Sequence, residues 1–355
     1  MLNNMDLEDY QDYRVAQNIK VIYPPILIIF GLTGNIASLI ILAQVKHRKT
    51  STGVMLIFLT FTDSLILVFV VFVKWLQYAF EVDVRSSSSV TCKVHVYFTY
   101  FLMQLSPWIL VILTTERICS VLYIHKVKRI FTRRNVLILS LLCVVCLACL
   151  NSHLLYGFTL DYHEVFNKTS CQAMKHHEHF MFKIWPWIDF AFAFAIPFCV
   201  LLTGNIIVLR KIKNSRHFRK SSVFKRKIGN RSRRSESDSM TKTVSYFTKV
   251  AIILSLAFIV CVSPFTIFAI GQPYWFPMET MTSRRYARLM LLEAVLHLFM
   301  YINNAINFVL YILCGSKFRA DFVNCLCRKG CRLHRSTTYS FNSRSSQSSQ
   351  RSEVL

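Results

Sequence analysis

The stretch Val94–Leu113, VHVYFTYFLMQLSPWILVIL, decides the fold, and it runs without an acid, a lysine or an arginine into TTERIC at 114–119. A run of about 20 mostly apolar residues is long enough to cross a bilayer as a helix. Ionisable residues at membrane depth are costly and are usually functional. Glu116-Arg117 is therefore interpreted either as a switch or as an interfacial pair that marks the end of the span.

Six further apolar runs of this kind lie on either side of it. The seven runs are Tyr23–Val45, Val54–Phe80, Val94–Tyr123, Val136–Phe158, Phe180–Leu209, Val244–Ile270 and Ala287–Leu313. The 355-residue chain is 54% hydrophobic with a mean hydropathy of +0.40, which is too apolar for a soluble protein of this length. A membrane barrel would show alternating segments of about ten residues instead. We therefore expect an all-α membrane protein, a seven-transmembrane helix bundle.

The charge distribution predicts the topology. The formal net charge of +24 could indicate nucleic-acid binding, but the basic residues gather in alternate loops. These basic segments are 46–49, 126–134, 210–242 and the tail from Lys317. The positive-inside rule places them in the cytoplasm, so we expect no nucleic-acid partner. The N-terminus is then extracellular, the first span directs insertion, and the expected location is the plasma membrane.

This topology divides the chain into segments. They are an acidic extracellular N-terminus (1–22), the transmembrane domain (23–313), a basic third cytoplasmic loop within it (210–243), and a short amphipathic eighth helix with a disordered Ser-rich cytoplasmic tail (314–355). The stretch Ser316–Val323 mixes charged and apolar residues, as in helices that lie on membrane lipids.

Two cysteines fall on the predicted outer face, Cys92 before the third span and Cys171 in the loop after the fourth. Because the outside is oxidising, we expect them to form a disulfide. Asn167 begins a glycosylation sequon in the same loop, although chance sequons are common. Cys325 and Cys327 follow the amphipathic stretch and are expected palmitoylation sites.

Several polar residues lie deep in the apolar spans and should face one another inside the bundle. They are Asn35, Asp63, Ser106, Asn303, Asn304 and Asn307. A carboxylate among hydroxyl and amide oxygens is suited to a hard monovalent cation. A water-filled hydrogen-bond network without an ion explains the same pattern, and spacing alone does not separate the two.

Residues and short motifs on successive spans make the chain resemble the rhodopsin-like (class A) G-protein-coupled receptors over roughly Tyr23–Cys327. They are Gly34-Asn35, Leu59 through Asp63, Cys92, Glu116-Arg117-Ile118, Pro197, Cys261-Val262-Ser263-Pro264-Phe265 and Asn307-Phe308-Val309-Leu310-Tyr311. The resemblance implies a receptor that activates heterotrimeric G proteins and is regulated by receptor kinases and arrestin. The Asn-Phe-x-x-Tyr ending resembles, more narrowly, invertebrate neuropeptide receptors of the FMRFamide type.

The resemblance also implies roles for particular residues. Arg117 would engage the G protein after release from Glu116. The other expected switch residues are Asn307, Tyr311, Pro264 and Phe258. An allosteric sodium ion would lie among Asp63, Ser106, Asn303 and Asn307; no other cofactor is expected.

Three departures from the family pattern carry expectations. Phe308 stands where the family has proline, so the seventh helix should kink less. Val244 stands where many relatives have an acid that restrains the arginine, so we expect measurable basal signalling. Val262 replaces the usual tryptophan, and Phe258 and Phe265, which flank it, would take over part of its packing.

The outer halves of the spans indicate the ligand class. Tyr301 stands where opsins carry the retinal lysine, and Thr99 where amine receptors carry an aspartate. The predicted ligand pocket comprises Lys74, Gln77, His95, Thr99, Met103, Asp189, Phe268, Glu293, His297 and Tyr301. This mixture favours an extracellular peptide, with Asp189 and Glu293 binding its cationic groups.

Alternatives to this interpretation remain. Lys74 and Glu293 would instead pair with each other, and Trp185 and Trp187 would be interfacial aromatics. A chemosensory or lipid-sensing receptor has the same fold. A transporter is the rival class, but the sequence shows no internal repeat. No nucleophile–base set indicates an enzyme.

Overall fold

The computed structural model describes residues 7–123, 127, 129–163, 168–223, 233–277, 281–314 and 316–327. The helices are α1 (Gln11–Leu42), α2 (Ser51–Phe80), α3 (Ser89–Leu122), α4 (Arg133–Asn151, then Leu154–Gly157), α5 (Trp185–Asp189 and Ile196–Val223), α6 (Arg233–Trp275), α7 (Ser283–Ala305 and Asn307–Cys314) and α8 (Ser316–Cys327). Six helices are long and apolar enough to cross a membrane, and α7 makes a seventh if its two bent halves form one span. The expected seven-helix bundle is confirmed.

Helix α3 occupies the centre of the bundle. It packs against α2, α4, α5 and α6, and 67% of its most apolar window is buried, against 22% for α4. A helix buried on nearly all sides can place polar groups toward several neighbours at once. For this reason α3 contributes to the clusters around Glu116, Asp63 and Asp189 described below.

Helix ends differ from the predicted spans. Helix α1 begins at Gln11 rather than Tyr23, so most of the expected acidic N-terminal tail that the structure describes is helical. Helices α5 and α6 likewise extend to Val223 and from Arg233 into the predicted basic loop. Hydropathy marks the apolar part of a helix, whereas a helix continues into polar sequence until its backbone bonds are capped or broken.

A hairpin that the sequence did not predict links α4 to α5. Strands β1 (Phe158–His163) and β2 (Lys168–Ala173) pair antiparallel, with Cys171 opposite Leu160. Cys171 forms the expected disulfide with Cys92 at the start of α3. The end of the bundle that carries this bond is called the disulfide end below, and the opposite end is called the Arg117 end.

The expectation of a straighter α7 is wrong. The two halves of α7 meet at 54°, with Ile306 between them at φ −89° and ψ −4°. The cause lies in α1: the carbonyl of Asn304, which would bind the N–H of residue 308 in a straight helix, accepts from Asn35 Nδ2 at 3.3 Å. Phe308 packs closely on Gly34: a Cβ added to Gly34 would lie only 2.9 Å from the Cβ of Phe308. Contacts with α1 therefore replace proline as the source of the bend.

The expected eighth helix is present and longer than predicted. Phe318 is fully buried, with its ring 5.5 Å from that of Tyr311. Asp321 Oδ2 lies 3.0 Å from Nε2 of His47, in the connection between α1 and α2. These contacts fix α8 across the Arg117 end of the bundle.

Candidate functional site

The charged pair that ends the third span lies inside the protein. The side chains of Glu116 and Arg117 are 4% and 6% exposed, and Arg117 Nη2 lies 2.7 Å from Glu116 Oε1. Ser51 Oγ donates to the same oxygen at 2.5 Å. Thr52 Oγ1 donates to both carboxylate oxygens at 3.1 Å and accepts from Arg117. The pair is thus bound to the start of α2, not exposed at an interface.

The start of α2 supplies this binding site because its first turn is rich in hydroxyls. Thr50 caps the helix by accepting from the N–H of Gly53 at 3.0 Å, which turns the next two residues toward α3. Sequence reasoning missed Ser51 and Thr52, although a run of hydroxyl residues at a helix start was the available signal.

A second buried cluster surrounds Asp63, halfway along α2. Its Oδ1 accepts from Ser106 Oγ and Asn304 Nδ2, both at 2.7 Å, and its Oδ2 accepts from Asn307 Nδ2 at 2.6 Å. Asn303 was the predicted partner, but Asn304 holds that place and Asn303 gives Asp63 no hydrogen bond. Both asparagines precede the bend at Ile306, and the one whose side chain reaches Asp63 is Asn304.

The Asp63 cluster is satisfied by its own hydrogen bonds, which favours the network interpretation of these polar residues. It nevertheless contains oxygen atoms of one carboxylate, one hydroxyl and two amides. Such atoms are the ligands that hard cations take, so the residues also fit a sodium ion. The expected switch residue Tyr311 lies nearby, with its hydroxyl 3.3 Å from Thr60 Oγ1.

A cavity of about 400 Å³ lies between α2, α3, α5, α6 and α7. Six predicted ligand residues line it: Lys74, Thr99, Met103, Asp189, His297 and Tyr301. Phe258 is buried and also lines it, whereas Pro264 lies on an exposed face of α6. Ser106 and Asn304 form part of its wall, so the cavity reaches the Asp63 cluster.

Four predicted ligand residues do not line this cavity. Gln77 accepts from Arg85 at 3.2 Å, and His95 Nε2 lies 2.9 Å from the carbonyl of Phe69. The ring of Phe268 packs against Phe276. The fourth, Glu293, lies behind His297 and is treated next.

Glu293 of α7 does not reach the cavity itself but contacts His297, which lines it. Glu293 Oε1 lies 3.7 Å from His297 Nδ1, and His297 Nε2 lies 3.2 Å from Lys74 Nζ. The predicted alternative, a direct Lys74–Glu293 pair, is therefore replaced by a chain of three groups. The stacked ring of Tyr301 lies 5.9 Å from that of His297.

Asp189 is held by a buried relay that the sequence did not reveal. Gln104 Nε2 donates to Asp189 Oδ1 at 2.9 Å, and Asn151 Nδ2 donates to Gln104 Oε1 at 2.7 Å. The relay joins α3, α4 and α5 just before the π-helical segment Phe190–Ala195, a feature frequent at functional sites. Amides in apolar spans were the available signal, and these two were overlooked.

The remaining predictions have mixed outcomes. Trp185 is 2% exposed and packs on His153 at 4.1 Å between ring centroids, so its assignment to the interface is wrong; Trp187 is 50% exposed. Asn167 and the tail from 328 lie outside the described residues, as do the side chains of Val244 and Cys327. Cys325 is half-buried in α8. Within the described residues, no group of three or more His, Cys, Asp or Glu side chains could hold a metal ion.

Comparison with known proteins adds two findings. The sequence model of the family described as 7 transmembrane receptor (rhodopsin family) matches residues 34–311. The follicle-stimulating hormone receptor of Cairina moschata is 23% identical over 317 residues, which cover 85% of this chain and 39% of that receptor. The chain therefore spans about two-fifths of the length of this relative.

Proposed function

The chain belongs to the rhodopsin family of seven-transmembrane receptors, and on this premise we propose that it binds a short extracellular peptide and activates a heterotrimeric G protein. Members of the family are receptors and not enzymes, as expected. The chain is a multi-pass protein of the plasma membrane. The extracellular N-terminus remains a proposal, supported by the basic residues near the Arg117 end and by the disulfide at the other end.

The observation that carries the peptide proposal is the Asp189 carboxylate in the cavity wall. Its single side-chain donor in the described part of the chain is the neutral amide of Gln104. A cationic group of a ligand would make a charge-assisted bond there, roughly twice as strong as a neutral one. The relative of 23% identity is a receptor for follicle-stimulating hormone, which supports a hormone-like messenger as the ligand. The narrower FMRFamide-type proposal rests on the Asn307-Phe308-x-x-Tyr311 ending alone.

The test is a library of short amidated peptides applied to cells that express the full chain, with G-protein dissociation as readout. For an active cationic peptide, Asp189→Asn should weaken potency on the order of 100-fold, the effect of losing about 3 kcal/mol. Glu178→Gln removes an exposed acid at the same end of the bundle and should leave potency unchanged. Unchanged potency in Asp189→Asn would contradict the proposal.

Glu293 has an indirect part in the same proposal. Because it touches His297 and does not line the cavity, Glu293→Gln should weaken the peptide less than Asp189→Asn. The double variant should lose little more than the Asp189 variant alone. A larger loss from Glu293→Gln would mean that the peptide's cation binds between α1 and α7 instead.

Coupling to the G protein is proposed to pass through the Glu116–Arg117 pair. In the structure both side chains are bound to Thr52. Release of Arg117 from these partners would expose a guanidinium at the Arg117 end, where a G protein would bind it. Receptor kinases and arrestin are proposed partners of the Ser-rich tail.

Three further sites remain proposals. Sodium would be bound by Asp63, Ser106, Asn304 and Asn307, and loss of sodium-dependent agonist affinity in Asp63→Asn would test it. Glycosylation at Asn167 and palmitoylation at Cys325 and Cys327 would be tested by a mass shift on deglycosylation and by thioester-specific labelling. Palmitoyl chains and the basic residues would both engage membrane lipids.

A further inference from the structure

Two lysines of the disulfide end line an apolar fissure between α1, α2 and α7. Lys20 on α1 and Lys74 on α2 both line it, and they are close enough to act on each other electrostatically. The rest of the wall is nearly all carbon. It includes Tyr23, Pro24, Leu27, Val71 and Leu298.

Neither ammonium group is paired with a carboxylate in the described part of the chain. Lys20 Nζ lies 3.9 Å from the sulfur of Met290 and 5.0 Å from the centre of the Tyr78 ring. Lys74 Nζ contacts Nε2 of His297. The nearby acid, Glu293, carries one negative charge for the two lysines, so the site has an excess of positive charge. Such an excess at membrane depth favours an anionic partner.

Lys20 lies at the outer end of the fissure, where it contacts Met290 and Tyr78, and Lys74 lies deeper, at the level of His297. Lys20 precedes Asn35, which binds α7 at the level of the Asp63 cluster, by about 22 Å of helix. The apolar residues Tyr23, Pro24 and Leu27 follow Lys20 toward that level, and Val71 lies one turn deeper than Lys74 on α2. This order matches a molecule with an anionic head near the membrane surface and an apolar tail pointing inward.

The dimensions restrict the tail. The fissure holds about 50 Å³, a few times the roughly 10–15 Å³ that admits one water, so it would admit a short part of one chain, and the rest of the chain would extend into the lipid. Tyr23 is 47% exposed at its edge, which leaves the fissure open toward the lipid. Lys74, His297 and Tyr301 also line the central cavity, so an occupant of the fissure would touch a wall of the proposed peptide site.

We propose that this fissure binds a single-chain lipid with an anionic head, held by Lys20 and Lys74, with its acyl tail against Tyr23, Leu27 and Val71. A carboxylate or a phosphate head meets the same requirement. The proposal goes beyond the peptide function and does not depend on it, because it concerns binding to the purified receptor without peptide or G protein.

The test uses the full chain in nanodiscs of phosphatidylcholine, with radiolabelled oleate and 1-oleoyl lysophosphatidate as probes. We expect saturable binding of one or both at one site per receptor. Binding of oleate alone assigns a carboxylate head, and binding of lysophosphatidate alone assigns a phosphate. Binding of neither probe overturns the proposal, and so does equal competition by oleyl alcohol, which has the same chain without the charge.

Variants separate the charge from the fold. Lys20→Gln with Lys74→Gln should weaken binding on the order of tenfold or more, whereas Lys20→Arg with Lys74→Arg keeps the charges and should retain most of it. Lys93→Gln removes a lysine of the same end that lines neither cavity and should have no effect. Equal binding by wild type and the double Gln variant, with matched thermal unfolding, overturns the proposal.

Discussion

Replacing Glu116 by glutamine tests the central switch, because it removes one charge and keeps the size of the side chain. The carboxylate accepts from Ser51 and Thr52 and pairs with Arg117. The amide of the introduced glutamine would keep one carbonyl oxygen for these donors but lose the ionic part of each bond. Glu116→Gln therefore weakens the resting arrangement without opening a cavity.

The magnitude follows from these contacts. A hydrogen bond to a charged group contributes about 1.5–3 kcal/mol and a neutral one about 0.5–1.5 kcal/mol. With two to three bonds affected and part of the geometry retained, the resting state loses about 2 kcal/mol. That is roughly a 30-fold shift in the resting-to-active equilibrium. A receptor that is about 1% active without ligand would become about 20% active.

The assay is ligand-independent G-protein dissociation, measured at matched surface expression. Thr52→Val breaks the same cluster from α2 and should raise basal signalling in the same direction. Glu178→Gln, which removes an exposed acid at the disulfide end, should leave it unchanged. If the wild type is silent, and Glu116→Gln and Thr52→Val are silent too, the reasoning that these contacts hold the receptor at rest is refuted.

Three further predictions concern stability, each measured by thermal unfolding of the purified receptor. Asn304→Ala removes one of the hydrogen-bond donors to the Asp63 carboxylate. It should lower the free energy of unfolding by about 1–3 kcal/mol, clearly more than Asn303→Ala. Cys171→Ser removes the covalent link of the hairpin to α3 and should cost about 2–4 kcal/mol. Burial raises the pKa of Asp83, but the hydrogen bonds and charge of Arg85 outweigh it and hold the pKa below the ordinary 3.8. The stability that this pair adds should therefore be constant above about pH 4 and be lost as the pH falls further, so the difference from Asp83→Asn should close in acid.

The bilayer explains why the spans were predictable and their ends were not. A helix in lipid must be apolar over about 20 residues, and each of the seven predicted runs coincides with a helix. Beyond the lipid this constraint ends. The helical start at Gln11 and the continuation to Val223 depend on backbone bonds and capping, which hydropathy does not measure. The β1–β2 hairpin was missed for the same reason.

In the candidate site, the most useful sequence signal was a residue type that is rare in apolar spans. Asp63 and Glu116 stand out because acids are costly in apolar spans. Their neutral partners are hydroxyls and amides, such as Thr52 and Asn304, which are common enough in membrane helices to attract no notice. The choice between Asn303 and Asn304 depends on how the first half of α7 is rotated against α2, which local sequence does not contain.

The two buried clusters together restrict how the receptor can open. On α2 the distance from Thr52 to Asp63 is eleven residues, and on α3 that from Ser106 to Glu116 is ten, so both pairs are about 15–16 Å apart along their helices. Because the spacings match, sliding α3 along α2 would disturb both clusters at once: it would separate Glu116 from Ser51 and Thr52, and Ser106 from Asp63. A pivot about the Asp63 cluster breaks the Glu116 cluster alone. Pro107, directly after Ser106, removes one backbone hydrogen bond of α3 at that level. The hinge and the Asp63 cluster therefore lie at the same level, and we expect Arg117 to be released by bending α3 at Pro107 while Asp63 keeps its donors.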